Sequence, residues 1–147
     1  MTRLVLVGTL VMALAAPGLV SAQAAGQSTS SASATSLGSV TLSKKVMADG
    51  QPLAPGTYQV RLTSDAPKPG IGQSPDAERY VEFVKGGKVA GREVATVVAN
   101  ADINTIAKGK KPAAGSSQVQ LLKGNDYVRV WINRGGTHYI INLPTAS

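Results

Sequence analysis

The chain reads as all-β: an antiparallel β-sandwich or small barrel of about six or seven strands in a single domain. Three observations predict this. Apolar and polar residues alternate with period two through most of the chain after residue 38. Gly-Gly, Asp-Gly and Gly-Asn pairs punctuate those runs where tight turns are needed. No long helical periodicity appears after the N-terminal segment. The length of 147 residues suits one domain, and a hydrophobic content of 43% is ordinary for a chain that folds.

The N-terminal segment carries an address. Met1-Thr2-Arg3 supplies one positive charge, and Leu4 to Ala16 is an uncharged, mainly apolar run. Pro17-Gly18 breaks any helix there, and Val20-Ser21-Ala22 places small residues where a signal peptidase reads them. The run of 13 residues falls short of the roughly 18–20 that span a bilayer. Residues 1–22 are therefore expected to be a signal peptide, with cleavage after Ala22 or Ala24, and the product to be periplasmic or secreted with no stable membrane anchor. Residues 23–37, almost all Ser, Ala, Thr, Gln and Gly, hold little to bury and read as a flexible leader. The β domain is expected over residues 38–147.

Within that domain the elements follow in order. Val40, Leu42 and Val46 alternate with Thr41, Ser43 and Lys45, a half-buried strand with Lys44 on its apolar side. Asp49-Gly50 marks a turn, and Pro52 and Pro55 predict irregular chain after it. Tyr58, Val60 and Leu62 alternate with Gln59, Arg61 and Thr63 in a second strand. Residues 64–77, with three prolines and two glycines, form a loop. Tyr80–Val84 and Glu93–Val98 flank Gly86-Gly87, a two-residue hairpin signal, with Gly91 as a bulge in the returning strand. Residues 99–117 are ambiguous: Asp102–Ala107 fits a short strand or a turn of helix, and Lys108-Gly109-Lys110-Lys111-Pro112 is a basic loop.

Three β-rich runs close the chain: Gln118–Leu122, Tyr127–Ile132 and Thr137–Leu143. A turn at Gly124-Asn125 makes opposite positions sum to 249, pairing Leu121 with Val128, Val119 with Val130, Gln120 with Arg129 and Gln118 with Trp131. A slip of one residue would set polar against apolar throughout, so the pattern favours this register. The turn at Gly135-Gly136 gives a sum of 269 or 271. Either value puts Val128, Val130, Ile132, Tyr139 and Ile141 on one side, and Tyr127, Arg129, Trp131, His138, Ile140 and Asn142 on the other.

The stretch from Asp49 to Val60, Asp-Gly-Gln-Pro-Leu-Ala-Pro-Gly-Thr-Tyr-Gln-Val, resembles the turn-then-strand phrase of carboxypeptidase-regulatory-like (prealbumin-like) sandwich domains and of small exported bacterial β proteins. In that phrase a Pro/Gly turn feeds a strand that opens on a buried Tyr, here Tyr58. The resemblance covers about a dozen residues. It implies a non-catalytic β-sandwich and carries over no site residues.

The inventory of reactive groups argues against an enzyme. With no cysteine, the chain has neither a thiolate nucleophile nor a thiolate metal site, and one histidine, His138, does not make a structural zinc site. No Gly-x-Ser-x-Gly elbow occurs, and Gly86-Gly87-Lys88-Val89-Ala90-Gly91-Arg92 lacks P-loop spacing. The acids lie in turns or alternate along strands, with only Glu78 and Glu82 four apart. No catalytic residue, metal or cofactor is expected. Fifteen basic against eight acidic residues give +7, or +6 once Arg3 leaves with the signal. The basic loop is not interleaved with aromatics as a single-strand platform requires, and export argues against nucleic acid.

What stands out is the mixed face of the C-terminal strands: Gln118, Gln120, Tyr127, Arg129, Trp131, His138 and Asn142. Aromatic rings that stack, beside amide and guanidinium donors, suit a polar polymer. The sequence-level expectation is a non-catalytic exported module that binds a polysaccharide or other polyanion. Trp131, Tyr127, Arg129, His138 and Gln120 are the ligand-binding candidates, and Lys108, Lys110 and Lys111 the polyanion contacts. The alternative is a structural or accessory interaction domain of the cell envelope, marked by an exposed patch of Trp131, Ile140 and Leu122. The competing reading of the same face is that residues 99–117 or a second sheet cover Trp131 and Tyr127, because large aromatics are buried on average.

Overall fold

The computed structural model describes residues 34–147. The export signal expected over residues 1–22 and most of the leader, residues 23–33, lie outside the described residues. Nearly all the regular structure of the described chain is β: a seven-stranded antiparallel sheet that curls until it nearly closes into a barrel, plus a two-stranded sheet.

The first strand, β1 (Thr35–Leu42), starts inside the stretch read as leader, because Leu37 is buried. Leu37 is out of phase with Val40 and Leu42, yet all three point inward. A bulge between Ser36 and Gly38, with Gly38 at φ 110°, supplies the extra residue that re-phases the strand. The alternation from Val40 to Val46 belongs to two elements instead of one. The chain bends at Ser43-Lys44 and resumes as β2 (Val46–Ala48), which leaves Lys44 exposed at the bend. Asp49 and Gly50, both at positive φ, turn β2 into β3 (Gln51–Leu53), a strand where two prolines predicted irregular chain. Pro52 is tolerated there because β3 has a partner on one side only.

The phrase that continues through Gly56 leads into β4 (Gly56–Leu62), where Tyr58 and Val60 are buried. After the loop of residues 64–77 come β5 (Glu78–Lys85) and β6 (Lys88–Ala99). They are joined by Gly86-Gly87, at φ 58° and 76°. The register steps between Phe83–Gly91 and Val84–Val89, so the bulged residue is Ala90, beside the expected Gly91. Gly91 is needed for another reason. A Cβ there would meet Leu53 Cδ2 at 2.9 Å and Ala48 Cβ at 3.1 Å, so the missing side chain lets the β2–β3 hairpin seat against β6.

One turn of helix, α1 (Ile103–Ile106), precedes β7 (Ser117–Leu121), β8 (Tyr127–Arg134) and β9 (Thr137–Pro144). The β7–β8 register is the expected one, and β8–β9 takes the sum of 271. Strand order is β1-β4-β5-β6-β9-β8-β7. At the seam Ser117 Oγ donates to the Ser39 carbonyl at 3.1 Å. The interior is filled by side chains that include Leu42, Leu53, Tyr58, Val60, Val81, Phe83, Val130 and Ile141, with the half-buried Val119 of β7 packed against them. Tyr58 and Phe83 meet edge to face at 6.3 Å, and the Tyr58 hydroxyl donates to the Ala54 carbonyl at 2.6 Å.

Candidate functional site

The outer face of β7, β8 and β9 holds the residues singled out from the sequence. The pairings set them in rows across the three strands. Gln120, Arg129 and Asn142 form one row, and Gln118, Trp131 and Ile140 the next. Tyr127 lies beyond the first row opposite Pro144, and Asn133 beyond the second opposite His138. The face is therefore polar at one end and mixed at the other.

The chain covers the mixed end with its own residues 100–116. Ile103 and Ala107, four apart on α1 and its C-cap, turn toward the sheet and form a second small core with Val98, Trp131 and Ile140. Trp131 has no exposed surface, and neither has His138. The structure thus takes both residues off the surface, against their assignment as ligand contacts, and removes the exposed patch of Trp131, Ile140 and Leu122. The physical reason is burial: an indole flanked by valine and isoleucine on a sheet face draws the nearest apolar chain over itself.

A polar relay runs beneath this cover. Trp131 Nε1 donates to His138 Nδ1 at 2.9 Å, and His138 Nε2 lies 3.0 Å from Asn100 Oδ1. An indole N–H can only donate, so Nδ1 is the unprotonated nitrogen, and the neutral ring carries its hydrogen on Nε2, where it donates to Asn100. Burial, and after it the positive charge of Lys111, lower the pKa of His138 below its ordinary 6.5. The cover is also pinned at its far end. Asn133 Nδ2 donates to the Pro112 carbonyl at 3.0 Å, Gly115 N donates to the Asn133 carbonyl, and Asn133 N to the Ser116 carbonyl.

Between these pins runs the basic loop. Ala107 and Pro112 are buried, and everything between them is exposed, Lys108, Lys110 and Lys111 included. The three ion pairs among the described residues, Arg61–Glu82, Arg79–Asp76 and Arg92–Asp65, all lie elsewhere, on and around β4, β5 and β6. Residues 99–147 hold six basic side chains against Asp102 and Asp126. Of the other candidates, Tyr127 is 46% exposed, Gln120 is half-buried, and Arg129 donates from Nε to Asn142 Oδ1 at 3.4 Å.

The structure thus brings together Gln120, Arg129 and Asn142 as an open row with Tyr127 beside it, and sets the lysine loop over the covered end. Sequence reasoning missed Asn100, Asn133 and Pro112, which hold the cover, and no motif marks them. The four-residue spacing of Ile103 and Ala107 was the one signal that a helical turn faces the sheet. No group of three or more His, Cys, Asp or Glu side chains gathers among the described residues in a way that could hold a metal ion. No protein family, curated protein or solved structure matches the chain.

Proposed function

We propose that this chain is a non-catalytic binding module for an anionic polymer, an acidic polysaccharide of the cell envelope or exterior, and that it acts after export and removal of residues 1–22. One observation carries the reading. Lys108, Lys110 and Lys111 project from a loop whose two ends, Ala107 and Pro112, are buried, and no carboxylate among the described residues pairs with them. A loop fixed at both ends loses little freedom on binding, so more of the attraction appears as affinity. The open row of Gln120 and Arg129, with Tyr127 at its edge, adds directional donors and one aromatic face. In this reading Trp131 and His138 build the mount and do not touch the polymer.

The test is titration of the purified mature chain with dextran sulfate, alginate and neutral dextran. The two anionic polymers are expected to bind and neutral dextran not to. Replacing Lys108, Lys110 and Lys111 together by Gln should weaken dextran sulfate binding at least tenfold, and Tyr127→Ala should weaken it less. The emission of Trp131 should stay unchanged on titration, since the indole is enclosed. Equal binding by the triple variant would overturn the assignment. A large emission shift would return Trp131 to the contact surface.

A further inference from the structure

The mount of the lysine loop contains the only histidine of the chain, and its surroundings leave that histidine one comfortable state. Nδ1 must accept from the Trp131 indole, and Nε2 must donate to Asn100. We propose that His138 is an acid-operated latch: protonation at Nδ1 sets two N–H donors against each other, breaks the Trp131 bond and lifts the 100–112 cover, with its lysines, from β8 and β9. The purpose of the latch rests on the binding reading above, because lifting the cover dismounts the contact loop. Its existence does not.

The surroundings bear this out from each side. From β8, Trp131 and Asn133 face the ring, and neither titrates in the range concerned. From β6 the register partner is Val98, and within β9 the same face continues as Ile140. From the cover come Asn100 and the charge of Lys111; Asp102, Lys108 and Lys110 of the same segment are exposed to water. Among the described residues nothing anionic bears on the ring, so an imidazolium formed there has no charge partner. Burying an unpaired charge is expensive, and relief by movement is cheapest in the least anchored neighbour. That neighbour is the cover, which is held by the buried side chains of Ile103, Ala107 and Pro112 and a few hydrogen bonds, while β8 and β9 pair along eight residues.

Trp131, the only tryptophan, reports on the latch directly. Acrylamide quenching of its emission, measured without ligand on the full mature chain from about pH 8 to about pH 4.5, should rise several-fold in one step below the ordinary histidine range. Far-UV circular dichroism should hold its barrel signal through that step. Lys111→Glu places a negative charge near the ring and should move the step to higher pH, while His138→Gln should abolish it. Quenching that stays flat with pH would overturn the latch, even in a chain that binds dextran sulfate at neutral pH. So would a step that coincides with loss of the dichroism signal, which would be global unfolding, or one that survives unshifted in both variants. If the step appears but dextran sulfate does not bind at neutral pH, only the binding reading fails.

Discussion

Asn133 shows how one side chain can hold a surface loop. Its amide donates to the Pro112 carbonyl in a buried position, and its backbone N–H and carbonyl both bond the end of the cover, at Ser116 and Gly115. Asn133→Ala leaves that carbonyl without a donor, which typically costs about 1–3 kcal/mol. Urea denaturation should show this as a lower midpoint with an unchanged slope, and acrylamide should reach Trp131 more easily at neutral pH. Gly91 makes the opposite case, a side chain whose absence matters. Gly91→Val sets new carbon against Leu53 and Ala48 in a packed interior, and overpacking of that kind costs about 1–3 kcal/mol. Thermal unfolding should register it, with the smaller Gly91→Ala less affected. His138 adds a pH dependence whose sign follows from its lowered pKa. The folded state favours the neutral ring, so the stability it contributes is complete above pH 6.5 and drains away as pH falls toward the folded value. Urea midpoints taken across that range should decline in acid for the natural chain and stay level for His138→Gln.

At the scale of elements, what was legible in the sequence divides by mechanism. The β7–β8 register and the faces of β8 and β9 were readable because strict alternation fixes which side each residue takes and Gly-Gly or Gly-Asn supplies the positive φ at the turn, while alternation alone does not separate the two β8–β9 sums, which differ by two residues. Where a bulge re-phases the chain the reading slipped. Composition groups Leu37 with the Ser- and Ala-rich leader, its phase gives no tie to Val40, and a bulge leaves no mark in the alternation except a glycine, Gly38. Lys44, conspicuous on an apolar face, was the visible sign that β1 ends before Val46. The cover over Trp131 was beyond periodicity altogether, since four residues of helix are too few to show a period and the contact that orders them is tertiary. The turns themselves support a prediction. Gly86 at φ 58° admits Asn, so Gly86→Asn should leave the melting temperature nearly unchanged, whereas Gly87→Val forces a branched side chain to φ 76° and should cost roughly 1–2 kcal/mol.

For the molecule as a whole the distribution of charge decides more than its total. The carboxylates concentrate before residue 94, where three of them meet arginines, and the chain from residue 99 onward keeps six cations against two acids. A polyanion approaching at random therefore meets a directional field, strongest toward the strands that carry the lysine loop. Exposed charges of this kind are screened over roughly 8–10 Å at moderate salt, so affinity for dextran sulfate should fall steeply as salt rises. The slope separates the two sources of attraction. If the mounted loop carries the binding, replacing its three lysines by glutamine should flatten the salt dependence as well as weaken binding. Replacing Lys44, Lys45 and Lys88 by glutamine removes the same charge from elsewhere on the molecule and should leave most of the affinity and slope in place. Equal losses in the two triple variants would mean that net charge alone attracts the polymer and that the loop has no privileged part. A loss confined to the first would make the placing of those three lysines, on a loop fixed at Ala107 and Pro112, the reason they bind more strongly than the others.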